Sequence, residues 1–347
     1  MTNMRFPFRR LPDDLGLMVL KTMEYHEIFR IAYSLTSKKA LSLVQFLGLS
    51  LQSAQIKIGW PSIFLDFGDS TIQIKWKEGE YDEEMMSFDD IPINVAVTTR
   101  KNSLTFDFVS MEFFPIFEIA SFTWSNKGKS IGQWVQHIYS IFRCDWYEAT
   151  FHIGMIRYDI QSLRTTFPKL NKTVISCFNN KPNEHNIQSA QVILRAFLPY
   201  VNDVQMFSVR LQENVSLQHI GMVNLRKLEM HDPPNLNFGD ILIWNVEFSI
   251  VHTYQFSMRD MNRFFKMWTN SSFPRLRSFK IYGKTIVDWN VLLKGLHLEN
   301  ERRLETEGAE RGMEFIIQNC YGTLAEIRVY NDIPTNVSVH FTVSNSR

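Results

Sequence analysis

The spacing of apolar residues divides the chain into a helical beginning, an alternating middle and a mixed second half. Near the N-terminus apolar residues recur every three or four positions, which places them on one face of a helix. Asp13 and Asp14 stand at the start of the first predicted helix, where acidic side chains can cap N–H groups and suit the helix dipole. Three short helices are predicted, with apolar faces formed by Leu15, Val19, Leu20 and Met23, by Ile28, Ile31, Ala32 and Leu35, and by Ala40, Leu41, Val44 and Leu47. Helices this short cannot bury all these side chains among themselves, so we expect apolar surface to face the rest of the chain or a partner.

From about residue 54 the pattern becomes alternating, which is typical of half-buried β-strands. Strands are predicted at 56–58, 63–67, 72–76, 93–97 and 104–108. Gly68, Asp69 and Ser70 have the composition of a hairpin turn between the second and third of these. The acidic segment 78–90 is interpreted as a solvated connection, and a surface for a basic partner is the alternative.

The second half combines helical periods with a recurring short motif. Helices are predicted over 131–146 and 187–198. Apolar residues at positions 1, 4 and 6, the spacing of a leucine-rich-repeat strand, occur at 204–209, 225–230, 243–248, 276–281 and 324–329. The matches are unevenly spaced, so the pattern predicts an irregular αβ solenoid, in which stacked neighbours complete each other's core.

Composition limits the classes of partner and compartment. The chain has 347 residues, is 45% hydrophobic and 21% charged, and carries a formal net charge of +1. This length suits two or three globular domains, and the charge offers no field to attract nucleic acid or a membrane surface. We find no secretory signal and no apolar run long enough to cross a bilayer. Three widely separated cysteines fit a reducing compartment, so an intracellular location, cytoplasmic or nuclear, is expected.

The chemistry-bearing residues form no recognised catalytic pattern. Cys144 and His152 raise the idea of a thiol nucleophile, but nothing in the sequence specifies a base within reach or an orienting group. The nine histidines show no paired metal spacing, and no Gly-rich phosphate loop or GxSxG occurs. We therefore expect no catalytic residue, no cofactor and no metal.

The N-terminal segment carries a first family resemblance. Residues 6–12, FPFRRLP, precede the two apolar helices, and residues 34–40, SLTSKKA, follow them. This arrangement resembles the F-box of the large nematode F-box families over roughly residues 5–47. It departs from the pattern at Gly16, which costs about 1 kcal/mol in a helix relative to Ala, and near Lys39, where many F-boxes have Trp.

A second resemblance lies downstream, in residues 256–276. Ser257 can cap a helix whose apolar stripe is Met261, Phe264, Phe265 and Trp268, and Asn270 to Pro274 end it. The stretch resembles the signature of the type 2 F-box-associated domain, which accompanies this kind of F-box. The stripe itself is interpreted as core. The predicted final hairpin, 314–330, also resembles the family's ending, with Tyr321 where the family usually has Asp.

The charged segment between Leu298 and Gly312 has mixed signs, and Leu304 is its one strongly apolar residue. It predicts a solvated helix or a mobile loop. A recognition loop on a rigid scaffold is the alternative.

These resemblances imply a substrate-recognition subunit of a Skp–cullin–F-box ubiquitin ligase. The implied fold class is α+β / α/β: a small three-helix F-box (5–50), a β-rich connecting segment (54–125), and an irregular leucine-rich-repeat-like αβ solenoid (126–345) containing the F-box-associated region at about 225–290. The F-box would bind a Skp-type adaptor, and through it cullin, while the body binds an unknown protein substrate. The adaptor-binding candidates are Leu11, Pro12, Leu15, Leu20, Met23, Ile28, Ile31 and Leu35.

Two other classes of function stay open. One is a protein-interaction scaffold outside a ligase, with a retained or decayed F-box. The other is an enzyme whose site is assembled from distant residues, for which a deep pocket with perturbed titratable groups would be the sign.

Overall fold

The computed structural model of the chain is a mixed α+β protein with extensive β-sheet. It describes residues 10–23, 28, 38–58, 62–67, 70–76, 95–107, 112–124, 131–153, 159–177, 183–211, 217–234, 236–283, 287–305, 311–332 and 336–344. Within these residues there are nine helices and seventeen strands. The chain forms two compact units, the first comprising Met1–Thr150 and Gln161–Leu170, the second comprising Phe151–Ile160 and Asn171–Arg347.

Two helices begin the first unit, α1 (Asp13–Lys21) and α2 (Lys38–Leu47). Pro12 occupies the N-cap of α1 and makes no side-chain capping bond, so the prediction that the two aspartates cap this helix is wrong. Asp13 and Asp14 instead lie in its first turn, where their charge suits the helix dipole. Of the second predicted helix, Ile28 is described and is helical.

The strands of the first unit are β1 (Ser50–Leu51), β2 (Ser53–Ile58), β3 (Ser62–Asp66), β4 (Ser70–Trp76), β5 (Val95–Asp107) and β6 (Glu112–Trp124). From β2 to β6 each strand pairs antiparallel with the next. The described parts of the two predicted strands at 93–97 and 104–108, residues 95–97 and 104–107, belong to one strand. β5 pairs with β6 along its whole length, so the intervening polar run stays in the ladder. The predicted turn residues Gly68 and Asp69 and the acidic segment 78–90 lie outside the described residues.

The first unit continues with α3 (Ile131–Ile141) and β7 (Arg143–Cys144). The helix ends earlier than the predicted residue 146, because β7 pairs in parallel with β1 and Arg143 donates its backbone N–H to the carbonyl of Leu49. The predicted apolar face of this helix is confirmed at Trp134, Val135, Ile138 and Ile141, all of which are buried. Two further elements, β8 (Tyr147–Ile153) and α4 (Ile160–Thr166), have residues in both units.

Five parallel strands in chain order form the first part of the second unit. They are β9 (Lys172–Cys177), β10 (Asp203–Phe207), β11 (Lys227–His231), β12 (Phe248–His252) and β13 (Ser278–Gly283). Each pairs with the next in the sequence. The connections contain α5 (Glu184–Phe197), α6 (Leu217–Met222), α7 (Phe238–Ile241) and α8 (Met258–Thr269). The second unit is therefore built here from repeated strand–helix steps.

The motif predicted at 243–248 is three residues out of register with the strand that forms, because the inward series starts at Val246 and not at Ile243. β12 begins at Phe248, and its inward positions are Ser249 and Val251, which are buried together with the preceding Val246. A serine at an inward position broke the apolar pattern, so the 1, 4, 6 spacing indicated the wrong register. The motif at 204–209 overlaps β10 but is also out of register, because Phe207 at its fourth position is half-exposed and pairs with His231. The motifs at 225–230 and 276–281 overlap β11 and β13, and their fourth and sixth positions are buried.

The second unit ends with α9 (Trp289–Leu292) and four strands, β14 (Leu298–Glu305), β15 (Arg311–Gln318), β16 (Leu324–Asp332) and β17 (Asn336–Val343). All four belong to an antiparallel ladder, and β17 joins it to β13. The fifth repeat motif, 324–329, is thus an antiparallel strand rather than a further parallel step. The charged segment predicted as a solvated helix or loop instead contains β14, which occupies the outer end of this strand order.

Candidate functional site

The outer face of the parallel strands carries a row of polar and aromatic side chains. We define the outer face as the half-exposed positions that alternate with buried ones along β10 to β13. The last outer positions of these four strands are Phe207, His231, His252 and Tyr282, and the strand register places each beside the next. We call these four side chains the ring ladder.

The rings of the ladder stack face to face across the strands. Ring centroids lie 4.2 Å apart between Phe207 and His231, 4.1 Å between His231 and His252, and 4.5 Å between His252 and Tyr282. The interplanar angles are 19°, 13° and 10° in the same order. Parallel strands lie about 4.8 Å apart, which is close to a stacking distance, so planar side chains at register partners stack without distortion. Each such cross-strand pair stabilises a sheet by roughly 0.2–1 kcal/mol.

Glu229 anchors one side of the ladder. Its Oε1 accepts a hydrogen bond from Nε2 of Gln205 at 2.9 Å and lies 2.8 Å from Nε2 of His231, while its Oε2 lies 2.7 Å from Nζ of Lys227. The hydrogen bond with His231, followed by the contact with Lys227, lowers the pKa of Glu229 to about 2. An ionised carboxylate can only accept hydrogen bonds, so Nε2 of His231 carries the hydrogen.

The next two rings of the ladder are held in their neutral forms. Burial and the nearby His231 lower the pKa of His252, which favours the uncharged imidazole. Burial and the charge of Glu229 raise the pKa of Tyr282. The ring row continues onto the antiparallel strands, where His340 lies 5.4 Å from Tyr282 and 5.2 Å from Tyr330 between ring centroids. The outer face therefore combines flat, weakly hydrated rings with one ionised carboxylate.

Glu229, His231 and His252 bring three metal-ligating groups together. One ligand atom from each lies within 4.8 Å of the others. Sequence reasoning missed this cluster because His252 belongs to another strand, and only the register of β11 on β12 places it beside His231. The available signal was positional, since His231 and Tyr282 directly follow the last apolar residue of two predicted repeat strands.

The N-terminal helices present a different surface. Leu15 is 44% exposed and Met18 is 64% exposed on α1, and Phe46 is 77% exposed on α2. The two helices are joined at their surface by Lys39, whose Nζ donates to the carbonyl of Leu11 at 2.9 Å and lies 2.8 Å from Oδ1 of Asp13. Sequence reasoning had not selected Met18 or Phe46, which lie off the apolar faces that it traced.

The adaptor-binding candidates occupy several environments. Pro12 and Leu15 are exposed, and Leu11 and Met23 are half-buried. Leu20 and Ile28 are buried, with 0% and 4% of their surface accessible. The remaining two candidates, Ile31 and Leu35, lie outside the described residues.

The residues considered for a thiol nucleophile have separate local partners. Cys144 is half-buried, its Sγ donates to the carbonyl of Trp146 at 3.1 Å, and burial raises the pKa of its thiol. Nδ1 of His152 lies 2.5 Å from Oγ of Ser176. A raised thiol pKa disfavours the thiolate that nucleophilic attack requires.

One region of the second unit is similar to a known protein family. Residues 216–281 match the family model described as F-box associated. This F-box-associated region runs from the start of α6 to β13 and contains Glu229, His231 and His252. Neither the curated proteins nor the solved structures gave a match to the chain. In the part of the chain that the structure describes, no helix is long and apolar enough to cross a membrane.

The F-box-associated region has α8 as its packing centre. Ser257 and Asp260 form a capping box at the start of the helix, with Asp260 N–H donating to Ser257 Oγ and Ser257 N–H donating to Asp260 Oδ2. Phe264, in the middle of α8, has four aromatic neighbours within 5.6 Å between centroids, namely Phe265, Phe273, Phe279 and Phe341. The aromatic stripe of α8 is therefore core, as the sequence analysis predicted.

Proposed function

We propose that this chain is a substrate-recognition subunit of a Skp–cullin–F-box ubiquitin ligase. The observation that carries the proposal is the match of residues 216–281 to the F-box-associated family. In this role residues 5–50, which resemble an F-box, bind a Skp-type adaptor that connects to cullin, and the second unit binds a protein substrate inside the cell. The chain contributes no bond-making residue. It raises the local concentration of substrate lysines near the ubiquitin-conjugating enzyme.

Exposed apolar side chains on α1 and α2 support an adaptor surface at the N-terminus. Leu15, Met18 and Phe46 are large apolar residues that the described part of the first unit leaves accessible. In our proposal Leu11, Pro12, Leu15 and Met23 contribute to the contact, as do Ile31 and Leu35. The candidates Leu20 and Ile28 act differently, because they are buried and therefore hold the helices in place from within.

The outer face of β10 to β13 is the proposed substrate surface. We propose that the repeated strand–helix steps form a leucine-rich-repeat-like array, whose strands present side chains at regular intervals. The ring ladder supplies large planar surfaces that lose little conformational entropy on binding, since stacking already fixes them. Rigid aromatic side chains of this kind are frequent anchors in protein interfaces.

Binding of the purified full chain to a Skp-type adaptor tests the proposal. Calorimetry should give a saturable complex, and Leu15→Asp combined with Met18→Asp should weaken it at least about tenfold, because a charge then replaces each exposed apolar contact. Tyr200→Asp is the matched control, since Tyr200 is 71% exposed in the second unit and should leave adaptor binding unchanged. Equal affinity in all three proteins, or no binding by the unmodified chain, would contradict the proposed adaptor surface.

Cullin recruitment separates the ligase from the scaffold alternative. A ligase subunit should bring cullin into the same complex and support ubiquitin transfer to a bound protein. Adaptor binding without either outcome would favour a protein-interaction scaffold that keeps its F-box outside a ligase.

A further inference from the structure

We propose that Glu229, His231 and His252 form a binding site for a divalent transition-metal ion, with zinc as the representative ion. His231 and His252 are register partners on β11 and β12, and Glu229 lies two residues before His231 on the same face. One ligand atom from each lies within 4.8 Å of the other two. The pairing of β11 with β12 brings these residues together, so the site does not depend on the proposed role in a ligase.

The donor set is appropriate for zinc-like ions. Two imidazole nitrogens and one carboxylate oxygen are ligands that zinc takes at about 2.0–2.2 Å, and three protein ligands leave a further position open to water or a bound group. Harder ions such as magnesium and calcium prefer all-oxygen sites, so the two histidines select against them.

Metal binding changes the position of a hydrogen in the cluster, at the contact between His231 and Glu229. Metal ligands must be deprotonated, and each proton that has to leave reduces the apparent affinity. In the neutral ring of His231 the Nε2 hydrogen would move to Nδ1 when an ion takes Nε2, whereas Nδ1 already has a free lone pair for an ion.

Neighbouring side chains both support and oppose the ion. Gln205 donates to Oε1 of Glu229 at 2.9 Å and so holds the carboxylate in place. Lys227 lies 2.7 Å from Oε2 of Glu229 and places a positive charge nearby, so the ion would bind Oε1 in place of the hydrogen bond from His231. Asp232 follows His231 and contributes negative charge at His252, while Lys280 shares the outer face on the adjacent strand. The local charges therefore nearly balance before the ion binds.

Zinc binding requires one imidazole to rotate out of the ladder. The rings of His231 and His252 are nearly parallel, at 13°, with centroids 4.1 Å apart. An imidazole lone pair lies in the plane of its ring, so an ion in the plane of one stacked ring lies well outside the plane of the other. Both side chains are half-exposed, and a ring rotation about the terminal torsion is soft. Binding of the ion therefore breaks the stacking of the two rings and replaces it with metal–nitrogen bonds to one histidine on β11 and one on β12.

Calorimetric titration of the full chain with zinc chloride, after treatment with a chelator, tests the site. We expect one ion per chain, and we expect His231→Asn and His252→Asn each to weaken binding at least about tenfold, since even loss of a supporting group typically costs 10–100-fold. His297→Asn is the matched control, because His297 is 89% exposed and its Nδ1 lies 3.4 Å from Oε1 of Glu299. This surface His–Glu pair has the same residue spacing, and among the described residues it is not part of a three-ligand cluster.

Cobalt(II) absorption of the unmodified chain gives a second readout that needs no variant. One equivalent of cobalt should produce visible bands of a low-symmetry nitrogen–oxygen site, and zinc should remove them. Absence of saturable zinc binding and of these bands would overturn the proposal. Equal zinc affinity in His252→Asn, with an unchanged circular dichroism spectrum, would also overturn it. Adaptor binding should be unaffected by His252→Asn, so failure of the metal site and failure of the ligase proposal are distinguishable.

Discussion

At the residue scale, Gly221 is required because the indole of Trp244 fills the space beside it. A Cβ built at position 221 would lie 1.9 Å from Cδ1 of Trp244, and that indole is itself buried. Gly221→Ala should therefore lower the free energy of unfolding by about 1–3 kcal/mol, the range for overpacking a core. Urea denaturation followed by tryptophan fluorescence measures this change.

Gly239→Ala is the control for that substitution. Gly239 also lies in a short helix, α7, but a Cβ there would have no neighbour within 4 Å. Because alanine favours a helix over glycine by up to about 1 kcal/mol, this variant should be neutral or slightly more stable. Equal destabilisation by both substitutions would contradict this explanation, because only position 221 has the indole of Trp244 beside it.

The three thiols should differ in reactivity because their environments differ. Cys320 is exposed, Cys177 is buried, and Cys144 is half-buried with a pKa raised above its ordinary 9.0 by burial. The thiolate is the reactive form, so iodoacetamide at pH 8 should modify Cys320 first and Cys144 much more slowly. Mass spectrometry of timed samples gives the order. Modification of Cys144 before Cys320 would instead indicate an activated thiol and would favour the enzyme alternative.

At the element scale, the capping box of α8 fixes the start of the helix that fills the core. Ser257→Ala removes the oxygen that accepts from the Asp260 N–H, so it should cost about 1 kcal/mol of stability. Ser257→Thr keeps an acceptor at the same position and should lose only a few tenths of that. Thermal unfolding by circular dichroism compares the two, and indistinguishable midpoints would argue that the cap does not limit stability.

Sequence periodicity predicted elements well where the inward positions are apolar. The helix that became α8, its cap at Ser257, and the strand motifs at 225–230 and 276–281 all follow the expected pattern. It failed at β12, where Ser249 is buried with 1% of its surface accessible, and at β14, whose exposed residues are mostly charged. Charged side chains prevent an edge strand from pairing with other chains. They also remove the alternation of apolar and polar residues by which a strand is predicted from sequence.

At the scale of the whole molecule, the candidate site depends on strand register, which no local pattern contains. Phe207, His231, His252 and Tyr282 are far apart in sequence and meet because each ends a parallel strand on the same side of the sheet. The family resemblance at residues 256–276 was visible in the sequence, and these residues lie within the F-box-associated match at 216–281. The resemblance indicated the region that we propose binds substrate, but the strand register was needed to find the residues of the candidate site.

Assembly with the ligase components is the direct test of the proposed role as a ligase subunit. Purified full chain, a Skp-type adaptor and cullin should be mixed, separated by size-exclusion chromatography and weighed by light scattering. We expect a single species containing one copy of each protein, and we expect Leu15→Asp/Met18→Asp to elute apart from the adaptor–cullin pair. Elution of the unmodified chain by itself, with adaptor and cullin together in a separate peak, would contradict it.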